Sequence, residues 1–500
     1  MVVGVRAFSA FQRLLSRIIT RNAANCGGAT NVQWPPQHNA RRTLRHRAVV
    51  IFKLLSTAAL AALAGCATYQ DLPLPSGPKL AGKVTALDTA IPEGDGRPAI
   101  RIDTKQPLTI DQIGLLAILN DPDLKPEAGT IEAARAGVVQ ATIIPNPVGS
   151  FNYGALISGP ATTSSLSAAL SQGIAQIITR QARIRSAEYH SAQVDGDQLW
   201  REWQVAQKAR QLAVDIYSAN QSIALTRQEV ALLAQELDEV KKAIAAGNLT
   251  LAAQSPLAAA QATVDNSLVT LNLDRLKNWQ ALDALLGLDP SVRFRIARPD
   301  LADLPRDITH LLADLPERRP DLAALRLGYA SASEDVRAAI LGQFPALTLG
   351  ASYNRDTSNV ITAGPTFDLG LPVFDRNQGE IAKTSATRIL LRAQYQARLD
   401  SATANVRGLA AQVRQLSTDL VRARRAAAMA ESLATTARKA YVENNLDQRT
   451  VTDYETTALE RRLEVIKIEQ QVDEDKIFLA VELGLDLPRV RIALSGGPPS

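Results

Sequence analysis

Few residues in this chain could do covalent or acid–base chemistry. Its 500 residues include two cysteines, Cys26 and Cys66, and four histidines, of which His38 and His46 precede Cys66. Two cysteines do not make a disulfide framework. His190 and His310, far apart in sequence, do not supply a metal site of usual composition. No G-x-x-x-x-G-K-[ST] loop, G-x-S-x-G elbow or H-E-x-x-H helix occurs. The acidic pairs Glu334-Asp335 and Glu236/Glu239 read as solvated helix faces. Neither catalysis nor a cofactor is expected.

One residue stands in a context with chemistry of its own. Arg41, Arg42, Arg45, Arg47 and Lys53 precede an apolar run from Leu54 to Ala64, which ends in Leu63-Ala64-Gly65-Cys66. The run is too short to span a bilayer comfortably and has the length of a signal h-region. Its end resembles the bacterial lipobox, in which the cysteine thiol takes a diacylglyceryl group and becomes the new N-terminus. Acyl chains on Cys66 would anchor the protein to lipid at about 0.8 kcal/mol per buried CH₂. The alternative is a buried cysteine at the end of a short helix. Ala67 is not the Asp that retains such lipoproteins at the inner membrane, which resembles an outer-membrane address. Translation is expected to begin within 41–50, with 1–65 acting as leader.

The formal charge of +5 belongs to that leader. The first 65 residues hold nine Arg/Lys and no acid, so the remainder has 46 basic against 50 acidic side chains, or −4. Nucleic acid is not an expected partner. Hydrophobic residues make up 46% and aromatics only 4%, a balance that favours long, closely packed helices.

Beyond a Pro/Gly-rich linker at 66–107 the chain repeats itself. Pro122 and Pro345 have counterparts in Pro320 and Pro147 at an offset of 198. Asn248-Leu249 matches Asn445-Leu446, and Leu286-Gly287-Leu288-Asp289 matches Leu483-Gly484-Leu485-Asp486, both at 197. Two copies of one unit are expected over 108–300 and 301–490, with a tail at 491–500. In each, a first helix follows the Pro-Asp-Leu cap, with Asp321 and Pro320 suited to its start. Ile340 is placed on that helix's apolar side.

Two short alternating segments come next. In the second copy, Leu347, Leu349, Ala351 and Tyr353 alternate with small polar residues, and Pro365, Phe367, Leu369 and Leu371 do the same. Phe151, Tyr153 and Ala155, then Leu166, Ala168 and Leu170, form a weaker version in the first copy. A period of two suits strands with one face to hydrocarbon and one to water. Phe344, Tyr353, Phe367 and Phe374 lie near strand ends, as an interfacial belt requires; packing between sheet and helices is the reading preferred for Phe344 and Phe374.

Long helical stretches follow. Asp197 to Ala246 has no Gly or Pro, roughly 75 Å of helix if straight at about 1.5 Å per residue. A turn at Gly247-Asn248 precedes a return helix from about Pro256 to Leu286. Leu409 to Leu483 reads likewise, with its turn at Asn444-Asn445, where Asn replaces Gly in a left-handed conformation. Leu212, Ile216, Ala219, Ile223 and Val230 give a coiled-coil-like stripe interrupted by Thr226. Four strands per chain cannot close a membrane barrel, whose smallest members have eight, and an open edge in lipid leaves backbone groups unpaired. Two copies would give eight strands and three would give twelve.

The succession Arg318-Arg319-Pro320-Asp321-Leu322, Phe344-Pro345, a strand, then Leu369-Gly370-Leu371-Pro372-Val373-Phe374-Asp375 resembles the second repeat of TolC-type outer-membrane efflux proteins. That resemblance covers nearly all of the chain beyond Cys66. It implies an α+β membrane protein: four transmembrane β-strands per chain in a shared trimeric 12-stranded β-barrel, and long antiparallel α-helical hairpins forming a periplasmic α-barrel. The implied function is the exit duct of a tripartite efflux or type I secretion system. The implied partners are two further copies, a periplasmic membrane-fusion adaptor, an inner-membrane pump (RND type) and outer-membrane lipid. Matching residue by residue, Asp447 and Asp453 become candidates for an acidic periplasmic aperture, against the plainer reading of solvated helix-start charges. Gly247, Asn248, Asn445 and Leu446 become candidate adaptor contacts at the hairpin tips. Arg449 stands one turn from Asp453, as a solvated pair would. The rival class is a lipid-anchored periplasmic coiled-coil adaptor or scaffold without a pore, which leaves the duplicated strands unexplained.

Overall fold

A computed structural model describes residues 69–91, 100–161, 163–303, 307–443 and 445–485. The leader and Cys66 lie outside these residues. The chain divides into two units, Met1–Pro78 and Lys79–Ser500. In the first, 69–78 is an exposed run without helix or strand.

The second unit opens with a short antiparallel pair, β1 (Ala90–Ile91) and β2 (Ile100–Arg101). Helix α1 (Ile110–Asn120) starts at a capping box: Thr109 accepts from the Gln112 N–H while the Gln112 side chain accepts from that of Thr109. Asn120 closes α1 and exchanges two bonds with the Asp88 backbone at 2.8 and 2.9 Å, tying the linker to the first repeat. Helix α2 (Glu127–Thr142) follows. It begins at Glu127 and not at the Pro122-Asp123-Leu124 expected from the second copy. The Asp121 carboxylate accepts from the Asp123 N–H at 2.9 Å, and Pro126, lacking an N–H, supports a turn there.

Strands β3 (Val148–Gly154) and β4 (Ser165–Gly173) lead into α3 (Ala175–Ala245), a helix of 71 residues. It starts 22 residues before the expected Asp197 and passes through Gly196, which is buried and so tolerated as a close-packing residue. Helix α4 (Gln254–Leu286) returns. The second copy has short α5 (Thr309–Ala313) and α6 (Leu315–Arg318), then α7 (Pro320–Leu341), β5 (Leu347–Arg355), β6 (Ile361–Leu369), α8 (Gln378–Val442) and α9 (Gln448–Glu482). Ile340 is 47% exposed and lies off the buried side of α7.

Apolar side chains gather in three clusters along the helices. Leu108, Ile113, Leu116, Leu212, Ile216, Leu282 and Leu286 pack around Trp279 at the base of the first repeat. Leu225, Leu233, Val240, Leu257, Val264 and Leu459 join both hairpins toward their tips. Leu311, Val406, Ala410, Val413, Leu479 and Leu483 hold the base of the second. The expected stripe on α3 is therefore the seam of the fold, and Thr226 is wholly buried within it.

Candidate functional site

The four strands form one antiparallel sheet in the order β3-β4-β5-β6. Paired residues share a face, so the register sorts the side chains. One face carries Phe151 and Tyr153 on β3, Leu166, Ala168 and Leu170 on β4, Leu349, Ala351 and Tyr353 on β5, and Ala363, Pro365, Phe367 and Leu369 on β6. The other carries Ser150 and Asn152, Ser165, Ser167 and Ser171, Thr348, Ser352 and Asn354, then Thr362, Thr366 and Asp368. The alternation expected in each repeat thus runs across both, with Gln172 and Arg355 on the apolar face and Val148 and Ala169 on the polar face as exceptions. Phe151 is 73% exposed and Phe367 71%, so the apolar face is bare within one chain. Phe344 and Phe374 are also exposed, at 59% and 93%, and do not fill the expected packing role between sheet and helices. The edges β3 and β6 each have one unpaired side. Among the described residues, no helix is long and apolar enough to cross a membrane.

At the other end of the long helices lie the two hairpin tips. Gly247 has φ of 79°, and the Asn248 N–H reaches back to the Ala243 carbonyl at 2.9 Å. The Asn445 N–H makes the equivalent bond to Ala440 at 2.8 Å. Asn445 is therefore the counterpart of Asn248, and the position matching the left-handed Gly247 falls on Asn444, which lies outside the described residues. Leu446 is half-buried beside it.

Asp447 caps α9. Its carboxylate accepts from the Thr450 N–H at 3.0 Å and from the Thr450 hydroxyl at 2.9 Å, and these bonds hold its pKa below the usual carboxylate range. Asp447 and Asp453 line one open groove of about 1280 Å³ between the starts of α4 and α9, together with Leu446 and Arg449. Arg449 makes no ion pair with Asp453 among the described residues. Gly247, Asn248 and Asn445 lie beside this groove in sequence but do not line it.

A charged cluster behind the tips went unread in the sequence. Arg438 on α8 donates through Nε to Glu455 of α9 at 2.7 Å and through its terminal nitrogen to Glu236 of α3. Gln448 donates to the other Glu236 oxygen at 3.2 Å. Glu236 is thus not the solvated half of a Glu236/Glu239 pair, because its side chain is only 12% exposed. Burial, reinforced by the charge on Glu455, pushes both Glu236 and its neighbour Glu229 up to about 7. The signal was available: Glu229 falls four residues from both Leu225 and Leu233, and Glu236 four before Val240, all on the buried stripe. The other acidic pair is likewise engaged, with Asp335 accepting from Ser186 at 2.6 Å and Glu334 from Arg337 at 3.1 Å.

A second hub sits at the base of the second repeat. Arg319 makes a two-pronged bond to Asp321, at 3.0 and 2.8 Å, also contacts Glu482, and lies 4.6 Å from the ring centre of Trp200. Asp321 therefore serves as a buried counter-ion as well as a helix-start charge.

Comparison with known proteins agrees with this geometry. Residues 311–485 match the family model described as outer membrane efflux protein. The cobalt-zinc-cadmium resistance protein CzcC of Cupriavidus metallidurans is 26% identical over 294 residues, which cover 57% of this chain and 68% of that one. The fold is shared with a membrane protein from Pseudomonas aeruginosa, at a TM-score of 0.65 and 19% identity over 84% of this chain and 98% of that one. It is shared too with the MtrE outer membrane channel of Neisseria gonorrhoeae in its open state, at 0.61 and 14% over 76% and 90%. Alongside a duplicated strand-and-hairpin unit and a sheet of two unlike faces, residues 311–485 of the second repeat carry the outer membrane efflux protein domain.

Proposed function

We propose that this protein is the outer-membrane exit duct of a tripartite efflux assembly. One observation carries the reading: a four-stranded sheet with a mainly apolar face, a face rich in hydroxyl and amide groups and two open edges. In water the apolar face would be costly to expose, at roughly 25 cal/mol per Å². In lipid the open edges would cost several kcal/mol per unpaired group. Both costs vanish when strands from several copies close a barrel with the apolar face outward. Three copies give twelve strands around a lumen lined by Ser, Thr and Asn. Strands of nine residues match a tilted transmembrane span.

The long helices then continue the lumen through the periplasm, and the tips at Gly247-Asn248 and Asn445-Leu446 meet a membrane-fusion adaptor fed by an inner-membrane pump of the RND type. Asp447 and Asp453, sharing one groove, present acidic charge at that inner end. Cys66 carries the lipid that holds the N-terminus to the membrane, 66–107 spans from that anchor, and 108–300 and 301–490 are the two efflux repeats. A lipid-anchored adaptor without a pore accounts for the helices but leaves the two-faced sheet with no medium to suit it.

The test is a fluorophore on single cysteines at Phe367 and Thr366 of the protein reconstituted in vesicles. Quenching at 367 by a lipid-soluble agent and at 366 by a water-soluble one is expected. Equal quenching of both by the aqueous agent would refute insertion of the sheet.

A further inference from the structure

The tips of the two hairpins are fastened together by one cation among three carboxylates. Arg438 of α8 bridges Glu236 of α3 and Glu455 of α9. Glu229, two turns back on α3, faces the same Glu455 and Arg438 and is also within reach of Arg462 on α9. Arg462 is itself engaged by Glu431 of α8 at 3.0 Å. Around the adjoining cavity of about 380 Å³ stand Glu239 and Gln235 of α3, Tyr441 of α8 and Gln448 of α9. From α4 the groups packed here are the apolar Leu257 and Val264. The Glu455 side chain is 8% exposed, and its Oε2 has no hydrogen-bond partner; nor has Oε1 of Glu229. Buried carboxylate oxygens without donors are costly while charged and cheap once protonated. The cluster therefore carries two acidic groups more than its shared cation can neutralise.

We propose that this cluster is a proton-loaded latch: with protons on Glu229 and Glu236 the two hairpins stay packed at their tips, and losing those protons pushes them apart. The proposal rests on reading the tips as the inner end of the duct, and it supplies the regulation of that end. Its sign is fixed by linkage. Burial raises both groups from the ordinary 4.5 to about 7, so the folded tips bind protons more tightly than separated hairpins would. Their contribution is fully present below about pH 4.5 and is lost as pH rises through about 7. A bare ion pair would behave oppositely and loosen on acidification. The tips should thus be tightest in mildly acidic surroundings and loosen toward alkaline pH.

Hydrogen exchange of the full-length protein in lipid nanodiscs, at pH 6 and pH 8 and corrected for the intrinsic rate, reads this directly. In the wild type, amides of 225–245 and 448–462 should exchange on the order of tenfold faster at pH 8. Those of Ile110–Asn120 should not change. Glu229→Gln with Glu236→Gln fixes the neutral form, so its tips should stay protected at both values. A wild type with equal protection at the two pH values overturns the proposal, as does a double variant that keeps the full response. The exchange result is independent of conduction, so a protein that opens no pore would refute the duct reading and leave the latch result standing.

Discussion

The two repeats share one plan and are held by different forces. At the base of the first, Leu282, Leu286 and Leu116 pack in an apolar cluster, and the residue before the conserved-offset proline, Asp121, ends α1 and bonds its own turn. At the base of the second, the equivalent position is Arg319, buried against Asp321, Glu482 and Trp200. Trp200 belongs to α3, so this charged hub of the second repeat is seated on the first. The tips differ in the same sense. The first closes on a left-handed glycine with no side-chain cap at Thr250, whereas the second opens α9 with the Asp447 cap. Duplication preserved the backbone path, while the second copy took up the charged residues that bind one repeat to the other. A repeat tolerates such divergence because the offset landmarks fix the turns and leave the seams free to change.

The largest break in this comparison should come from Arg319→Met. It strands the Asp321 carboxylate, whose side chain is 5% exposed, and a loss of about 3–5 kcal/mol in urea unfolding is expected. Arg398, 3.2 Å from Asp321, keeps the loss toward the lower end. The first-repeat counterpart, Asp121→Asn, preserves the acceptor for the Asp123 N–H and should cost less than about 1 kcal/mol. Equal losses for the two would remove the distinction between the bases.

A second pair sharpens it. Gly287 and Gly484 end α4 and α9 at φ of 61° and 67°, so alanine at either should cost about 1–2 kcal/mol in conformation. A Cβ at 484 would also stand 2.8 Å from the Arg318 Cβ and 3.1 Å from its carbonyl oxygen, while at 287 the nearest atom is 3.5 Å away. Gly484→Ala should therefore lower the melting temperature clearly more than Gly287→Ala. The smallest effect is expected of Asp447→Ala, which removes the cap of α9: exchange in its first turn should quicken by up to about tenfold, with no change at the other tip. Because its hydrogen bonds lower the Asp447 pKa, the cap holds above about pH 3.8 and is lost as pH falls through the lowered value.

Much of this organisation was legible in the residues. Two offsets located both hairpin turns, and alternation located all four strands, because periods of two and of three to four map directly onto exposed and buried faces. The start of α3 was not legible: the Gly- and Pro-free stretch begins at Asp197, but the helix runs on through the buried Gly196 to Ala175. The acidic groups of the site were the hardest to read. Asp447 and Asp453 were proposed by matching the turn, whereas Glu229 and Glu236 were passed over because charge was equated with exposure. Their spacing on the Leu225–Leu233–Val240 stripe placed them inside the seam, where pairing with Arg438 from the other hairpin decides their state.

The central claim is that copies of this sheet close a barrel around a water-filled lumen. Purified protein added to a planar lipid bilayer tests it most directly. Discrete, stable conductance steps are expected, with a positively charged blocker at Asp368 of the polar face (Asp368→Cys, then modified) reducing them and the same modification at Phe367 leaving them unchanged. A bilayer that stays silent at protein levels where the sheet is shown to be inserted would contradict the account.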